Sequence, residues 1–389
     1  MSYDRTLTGE RAVRRISMVA GEASGDHLAA GLIRAMRQHD LQFEVTGICG
    51  PKMIAEGATA MYSIDAINSI GMEGLFGRVR SILAIRRNLI ARLLENKPDI
   101  YIGVDAPDFN LGVEKRLRKA GVPTVQYVGP SIWAWRGYRI RKIKRAVSKI
   151  LTIYPFEDRI YDQQVPFAYV GHPLADEIAL EPLQAARARF GLSGNDTVIA
   201  ILPGSRMSEV NRLAEVFLRT ALELQKSHPQ IKFITPAASN EIQTAFSHKV
   251  EQIAPNLPIQ VVDRNSIEVI ATADVVLLAS GTAALEAALC RKPVVVAYRI
   301  SLLSLVVLKL LGHVKHYSVL NHLGSSPVIP EFMQGDCTVD NLTEEINRYL
   351  EDSAYRENVL DQFDGFRKSL NCNASARAAE EIVRILEND

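Results

Sequence analysis

Four cysteines, at positions 49, 290, 337 and 372, are scattered through 389 residues without one Cys-x-x-Cys pair. That spacing excludes a zinc ribbon or a disulfide framework and suits reduced thiols. Long apolar runs are also missing. The nearest, 300–308, falls far short of the ~20 residues that a membrane-spanning helix needs. Charge of one sign is not in excess either: 45 basic and 44 acidic residues leave a formal net charge of +1. Bulk nucleic-acid binding, which favours a strongly basic domain, is therefore not expected. Repeats and low-complexity tracts are absent. Residues 1–15 are polar and arginine-rich, lack the apolar core of a signal peptide, and read as a flexible tail.

What is present is an α/β rhythm, organised around LLASGTAALEAALCRKPVVVAYR at 277–299. Val275 to Ala279 is an unalternated apolar run, as in a strand buried on both faces. Ser280-Gly281-Thr282 then turns into strong helix-forming sequence. Such a turn offers free backbone N–H groups and the positive end of a helix dipole, which suit phosphate. Glu286, one turn into the helix, could accept both hydroxyls of a ribose. Taken alone, the stretch is equally an ordinary strand-turn-helix with a solvated glutamate. A second element of the same kind favours the ligand reading: Ile199 to Leu202 ends in Pro203-Gly204-Ser205-Arg206 and adds a cation. Two such turns suggest a diphosphate site.

The N-terminal half carries its own strand-to-turn junctions. Strand 16–20 enters Gly21-Glu22-Ala23-Ser24-Gly25-Asp26, with Asp26 a candidate N-cap for a helix that includes His27. This is not G-x-G-x-x-G, so dinucleotide binding has little support. Strand 100–104 ends in Asp105-Ala-Pro-Asp-Phe-Asn110. A carboxylate leaving a buried parallel strand points into the ligand crevice of such folds, whereas Asp108 and Asn110 read better as caps of the next helix. The stretch 69–94 interleaves Ile70, Met72, Leu75 and Phe76 with arginines. It is either an amphipathic helix packed on the sheet or a surface for acidic lipid. Both tryptophans, at 133 and 135, precede a basic helical face. His172 reads as a hinge residue or a substrate contact. Further strands are expected at 43–48, 122–128, 150–154 and 167–170, and in the second half at 197–202, 231–235, 259–262, 275–279 and 294–298, alternating with helices. That pattern implies parallel sheets covered on both faces.

Seven motifs in fixed order carry a resemblance: GEASGD (21–26), IGVDAPDFN (102–110), SIWAWR (131–136), VGHPLAD (170–176), LPGSR (202–206), ASGTAALE (279–286) and NCNA (371–374). With them the chain closely resembles the lipid A disaccharide synthases from about residue 16 to 379. The resemblance implies a GT-B fold, two doubly wound Rossmann-like domains facing each other across a cleft. The expected division is a tail at 1–15, an acceptor and catalytic domain at 16–176, and a UDP-binding domain at 177–364. A helix at 365–389 would cross back to the first domain or be exchanged in a homodimer.

The implied reaction moves 2,3-diacylglucosamine from its UDP conjugate to the 6-hydroxyl of 2,3-diacylglucosamine 1-phosphate, with inversion. Asp105 is the first candidate for the general base, with Glu22 and His27 behind it. UDP would be held by Gly204, Ser205, Arg206, Ser280, Gly281, Thr282, Glu286 and Asn321. No cofactor and no metal are expected, since no D-x-D motif accompanies these residues. Ile70, Met72, Leu75, Phe76, Leu302, Leu303, Val306 and Val307 would contact acyl chains or the membrane. The implied location is cytoplasmic, peripheral to the inner membrane of a Gram-negative bacterium. The rivals are a UDP-N-acetylglucosamine 2-epimerase and a non-catalytic UDP-sugar or lipid-binding protein. One departure stands out: where the family pattern has Asn followed shortly by Gly-Arg, this chain has Asn321-His-Leu-Gly324-Ser325-Ser326.

Overall fold

The structure is a computed structural model that describes residues 13–68, 74–130, 139–263, 266–279, 281–300 and 316–388. Two compact units divide the chain, Met1–Pro173 with Cys372–Asp389 and Leu174–Asn371. In the first unit, strands β1 (Arg14–Ala20), β2 (Phe43–Cys49), β3 (Thr59–Ser63), β4 (Ile100–Val104), β5 (Thr124–Tyr127), β6 (Lys149–Thr152) and β7 (Phe167–Tyr169) form one sheet. Its order is 3-2-1-4-5-6-7 and every neighbouring pair is parallel. Helices α1 (Ala23–Met36), α2 (Pro51–Ala55), α3 (Gly74–Glu95) and α4 (Pro107–Lys119) follow β1, β2, β3 and β4. The central strand β4 is buried along its whole length, which is why its sequence is apolar without alternation.

Asp26 does not start α1. The helix begins at Ala23 with Glu22 in the N-cap position, and Asp26 lies inside it and is buried. Its carboxylate accepts from the backbone N–H of Gly50, Lys52 and Met53 at 3.1, 2.9 and 3.0 Å. A short acidic side chain in one helix thus caps another, α2, and orders the β2–α2 junction.

The second unit repeats the plan. Strands β8 (Val198–Leu202), β9 (Lys232–Pro236), β10 (Ile259–Val262), β11 (Val275–Ala279), β12 (Val294–Tyr298) and β13 (Glu331–Met333) form a parallel sheet in the order 10-9-8-11-12-13. Helices α5 (Met207–Ser227), α6 (Ser266–Thr272), α7 (Thr282–Leu289) and α8 (Leu320–Leu323) belong to it, as does the long α9 (Ser353–Leu370). Two strands had no sequence signal. β3 is largely exposed and β13 has three half-buried residues; both are edge strands, where burial imposes little pattern.

The last helix, α10 (Ala374–Asn388), returns to the first unit. Ala378, Ala379, Ile382 and Leu386 join the core that holds Ala29, Leu32 and Ile33 of α1. The chain changes unit near residue 371, not at 364. α9 runs unbroken to Leu370, and Arg367 on it donates to the carbonyls of Leu289 and Ile178, both in the second unit. The turn comes at Asn373, in the left-handed region with φ of 57°, a conformation asparagine tolerates better than most.

Candidate active site and nucleotide cavity

In each sheet the strand order reverses between two central neighbours, β1 and β4 in the first unit and β8 and β11 in the second. The carboxyl ends flanking such a reversal are where open parallel sheets bind ligands, because the connections diverge there and leave a crevice.

At the β8/β11 reversal lies a cavity of about 610 Å³ lined by Gly204, Ser205, Arg206, Gly281, Thr282 and Glu286, together with Glu209, Pro236, Asp263 and Ser266. Gly204 has φ of 123° and Gly281 of 141°, so both turns use conformations that a Cβ disfavours. At Gly204 space is also short, since a Cβ would come within 2.4 Å of Glu209 Cβ. Glu209 fixes this turn by accepting from the N–H of Ser205 at 3.0 Å and of Arg206 at 3.3 Å. The Arg206 side chain remains 70% exposed. Gly281 is the N-cap of α7. A Cβ there would meet no heavy atom within 4 Å, so backbone conformation, not crowding, is what calls for glycine. Glu286 accepts from Ser266 Oγ at 2.6 Å, and burial raises its carboxyl pKa while that bond lowers it. Ser280 lies outside the described residues.

The β1/β4 reversal is built differently. Asp105 leaves β4 with φ of 53°, followed by Ala106 at 41°. Burial pushes the Asp105 carboxyl above its ordinary range, the nearby Glu22 charge pushes it further, and a bond from the Ala106 N–H opposes both. Two carboxylates therefore meet here. Glu22 is exposed and accepts from Ser24 Oγ at 3.3 Å. His27 places Nδ1 3.0 Å from Lys52 Nζ, so a cation already occupies that side of the ring. Gly21 is required for close approach, because a Cβ would lie 2.3 Å from Ala106 Cβ. Neither Asp108 nor Asn110 caps α4: Asp108 pairs with Arg139, and Asn110 Nδ2 reaches back to the Asp105 carbonyl at 2.9 Å. His172 is buried with its ring 5.5 Å from that of Tyr154.

Asn321 is not gathered with the other expected nucleotide ligands. Its Oδ1 accepts from the N–H of Val328 and Ile329 at 2.7 and 2.9 Å, and its Nδ2 donates to Ile329 O and to Glu331 Oε1 at 3.0 and 2.6 Å. With both ends of the amide committed, the side chain pins a buried loop and is absent from the cavity lining. Of the expected apolar contacts, Ile70, Met72, Leu302, Leu303, Val306 and Val307 lie outside the described residues, as do Trp133 and Trp135. Leu75 and Phe76 lie on α3 with side chains outside the described ones. Farther along α3, Val79 and Leu83 are 50% and 46% exposed, whereas Leu89 and Leu93 are buried against the sheet. No helix among the described residues is long and apolar enough to cross a membrane.

Several cavity residues had no part in the sequence reading: Pro236, Asp263 and Ser266. Pro236 ends β9 and Asp263 follows β10, so the carboxyl-end rule that singled out the glycine turns could have found them. Gln126, which contacts the Asp105 carbonyl, sits inside a strand and gave no signal.

The lipid-A-disaccharide synthetase family model matches residues 16–385. A lipid-A-disaccharide synthase of Psychromonas ingrahamii is 42% identical over 96% of this chain and 98% of its own length. Those of Pseudoalteromonas translucida and Haemophilus influenzae strain Rd are 43% and 40% identical, each over 96% of this chain and 97% of its own. Among solved structures, the UDP-GlcNAc 2-epimerase of Neisseria meningitidis bound to UDP-GlcNAc superposes with a TM-score of 0.64 at 14% identity, covering 96% of this chain and 100% of the epimerase. The glycotransferase of kitacinnamycin gives 0.62 at 17% identity, covering 97% and 100%. Those two likenesses speak for the GT-B fold.

Proposed function

This chain belongs to the lipid-A-disaccharide synthetase family and is a glycosyltransferase of lipid A biosynthesis, and from that premise we propose that it joins two diacylated glucosamines. The donor is UDP-2,3-diacylglucosamine and the acceptor is 2,3-diacylglucosamine 1-phosphate. The products are the β-1,6 disaccharide 1-phosphate and UDP. The observation that carries the nucleotide half of this reading is the cavity at the β8/β11 reversal, lined by two glycine turns, an exposed arginine and a half-buried carboxylate.

An α-linked donor that gives a β product inverts at the anomeric carbon. A single displacement then needs a base to take the proton of the attacking hydroxyl. Asp105 is suited to this, because burial raises its basicity above that of a solvated carboxylate. The leaving diphosphate gains charge in the transition state. The N-terminal N–H groups of α7 at Gly281-Thr282 and the exposed Arg206 side chain are suited to that charge, while the Ser205 and Arg206 N–H groups are already held by Glu209. Glu286, already holding one hydroxyl donor in Ser266, is suited to the ribose. No metal is needed in this scheme.

Both substrates carry acyl chains, so the protein should meet a bilayer peripherally. Val79 and Leu83 stand exposed on the α3 face that also bears Arg80 and Arg87, the combination that suits an anionic lipid surface. Changing both to serine should leave the melting temperature unaltered and weaken cosedimentation with phosphatidylglycerol vesicles; unfolding instead would make them core residues.

The test of the whole reading is direct. Purified protein with the two diacylglucosamine substrates should release UDP and a disaccharide in equal amounts. UDP binding without either product would leave a sugar-nucleotide-binding protein. Conversion of UDP-N-acetylglucosamine to its 2-epimer would leave an epimerase.

A further inference from the structure

Three residues without the freedom of glycine hold left-handed backbone at the carboxyl edge of the first sheet: Asp105, Ala106 and Val128, with φ of 53°, 41° and 73°. Such conformations persist only where surrounding groups over-determine them. Two buried side-chain amides do so here. Gln126 Nε2 lies 2.9 Å from the Asp105 carbonyl oxygen and 3.3 Å from that of Val128, so one NH₂ group ties the ends of β4 and β5 together. Asn110 Nδ2 donates to the same Asp105 carbonyl at 2.9 Å, and its Oδ1 accepts from Tyr101 Oη at 2.8 Å. Gly103 makes room for this, since a Cβ there would lie 2.8 Å from Asn110 Cβ and 2.6 Å from Glu114 Oε1. The backbone N–H of Asp105 donates to Tyr127 O at 2.8 Å. Every polar backbone atom of Asp105 is thereby engaged, and its carboxylate takes the Ala106 N–H.

We propose that Gln126 and Asn110 are positioning residues that fix the left-handed turn at Asp105 and so aim its carboxylate at the acceptor hydroxyl. This rests on the reading of Asp105 as the base. A group that needs angstrom-level alignment with a reacting proton is sensitive to a small shift of its own backbone, whereas nucleotide binding in the second unit does not depend on that turn.

The test uses Gln126→Met, which keeps length and loses the donor, and Asn110→Leu, which keeps the branched shape and loses both the donor to Asp105 and the acceptor for Tyr101. Each should lower kcat by about 10- to 100-fold. Acceptor KM and UDP affinity by calorimetry should stay near wild type, as should the melting temperature of Gln126→Met. Each change is then combined with Asp105→Asn. If the amides act through Asp105, neither lowers the residual turnover of that variant further, because residues working as one unit are non-additive. Wild-type kcat in both single variants, while Asp105→Asn remains inactive, would overturn the positioning role and leave the base intact. Multiplicative losses in the Asp105→Asn background, or failure of both single variants to fold, would make the amides structural and also overturn it. Full turnover by Asp105→Asn itself would sink the base and the positioning role together.

Discussion

The two strand-order reversals share a topology and differ in what stands at their edges. At β8/β11 the backbone itself is the reagent. Two glycines with positive φ line an open cavity, and the Arg206 side chain that also lines it is mostly in solvent. At β1/β4 the left-handed positions belong to Asp105 and Ala106, and buried amides hold them. Carboxyl groups collect there: Asp105, Glu22 beside it, and, against Gly103, Glu114, whose two oxygens have no hydrogen-bond partner. The sheet reversal provides a place for a ligand in both units. Local residues then decide what the place does. Glycine turns with a cation suit the holding of negative charge, and a desolvated carboxylate on a rigid turn suits removal of a proton.

If that division is right, the largest effect comes from a single atom exchange in the first unit. Asp105→Asn should lower turnover by ~10²–10⁴-fold, the contribution typical of a general base, and leave UDP affinity unchanged. The fold should not suffer. A carboxyl whose folded pKa is raised carries no penalty below its unfolded value and a growing one as pH rises past it, so the amide should be no less stable than wild type near neutrality. In the wild type, kcat/KM should fall on the acid side with a midpoint above the usual carboxylate range, as Asp105 takes up its proton. Arg206→Ala should leave that midpoint in place. A midpoint that moves with Arg206 would erase the distinction between the two edges.

Changes in the second unit should act on binding. Arg206→Ala and Glu286→Ala should each weaken UDP by roughly 1–3 kcal/mol, as expected when a partner at the site is left unpaired. Saturating donor should restore turnover for Glu286→Ala, whereas Arg206→Ala should also lose kcat because the arginine meets charge that develops in the transition state. EDTA should leave the rate unaltered. Chelation that stops the reaction, with recovery on adding magnesium, would replace the N–H and arginine account of the diphosphate with a metal.

Much of this was legible in the sequence, and the boundary of legibility is physical. Central strands such as Ile100–Val104 and Val275–Ala279 announce themselves because burial on both faces demands unbroken apolar runs. Gly204 and Gly281 are visible because few other residues suit their backbone. The left-handed turn at Asp105-Ala106 is not visible, because aspartate adopts positive φ only in a small minority of cases and alanine more rarely still. It is imposed from outside by Asn110 and Gln126, the latter 21 residues away. Asn321 shows the converse. The family resemblance implied a nucleotide contact there, whereas its amide is engaged by Val328, Ile329 and Glu331, and pairing of that kind has no sequence period.

A smaller effect, on stability, would sharpen the contrast from the other side. Burial pushes Glu114 up to about 8, so it stays protonated in the folded protein where the unfolded chain would ionise it. Its penalty is absent below about pH 4.5, grows as pH rises, and is complete near pH 8. Glu114→Met, which removes the ionisable group at similar length, should therefore stabilise by on the order of 1 kcal/mol near pH 8 and by less near pH 5. Equal effects at both values, read by thermal melts, would mean that Glu114 is ionised and paired in the folded state.

The smallest expected effect lies at the departure from the family pattern. Ser325 and Ser326 stand where an arginine would follow, and both are exposed. The loop before them is locked through Asn321, and the described residues lining the cavity of the second unit include none from 316 to 329. A cation added at Ser326 would therefore act through solvent. Exposed pairs of that kind are worth ~0–1 kcal/mol, so Ser326→Arg should tighten UDP slightly at low salt and lose the gain at high salt. Turnover should change by no more than that binding term. A rise of orders of magnitude would show the opposite: that the 316–329 loop delivers charge to the leaving diphosphate, and that Arg206 with the two glycine turns is an incomplete set of donors. The cavity at β8/β11 would then be a binding site awaiting its catalytic cation, and the division of labour between the two edges would have to be redrawn around the loop.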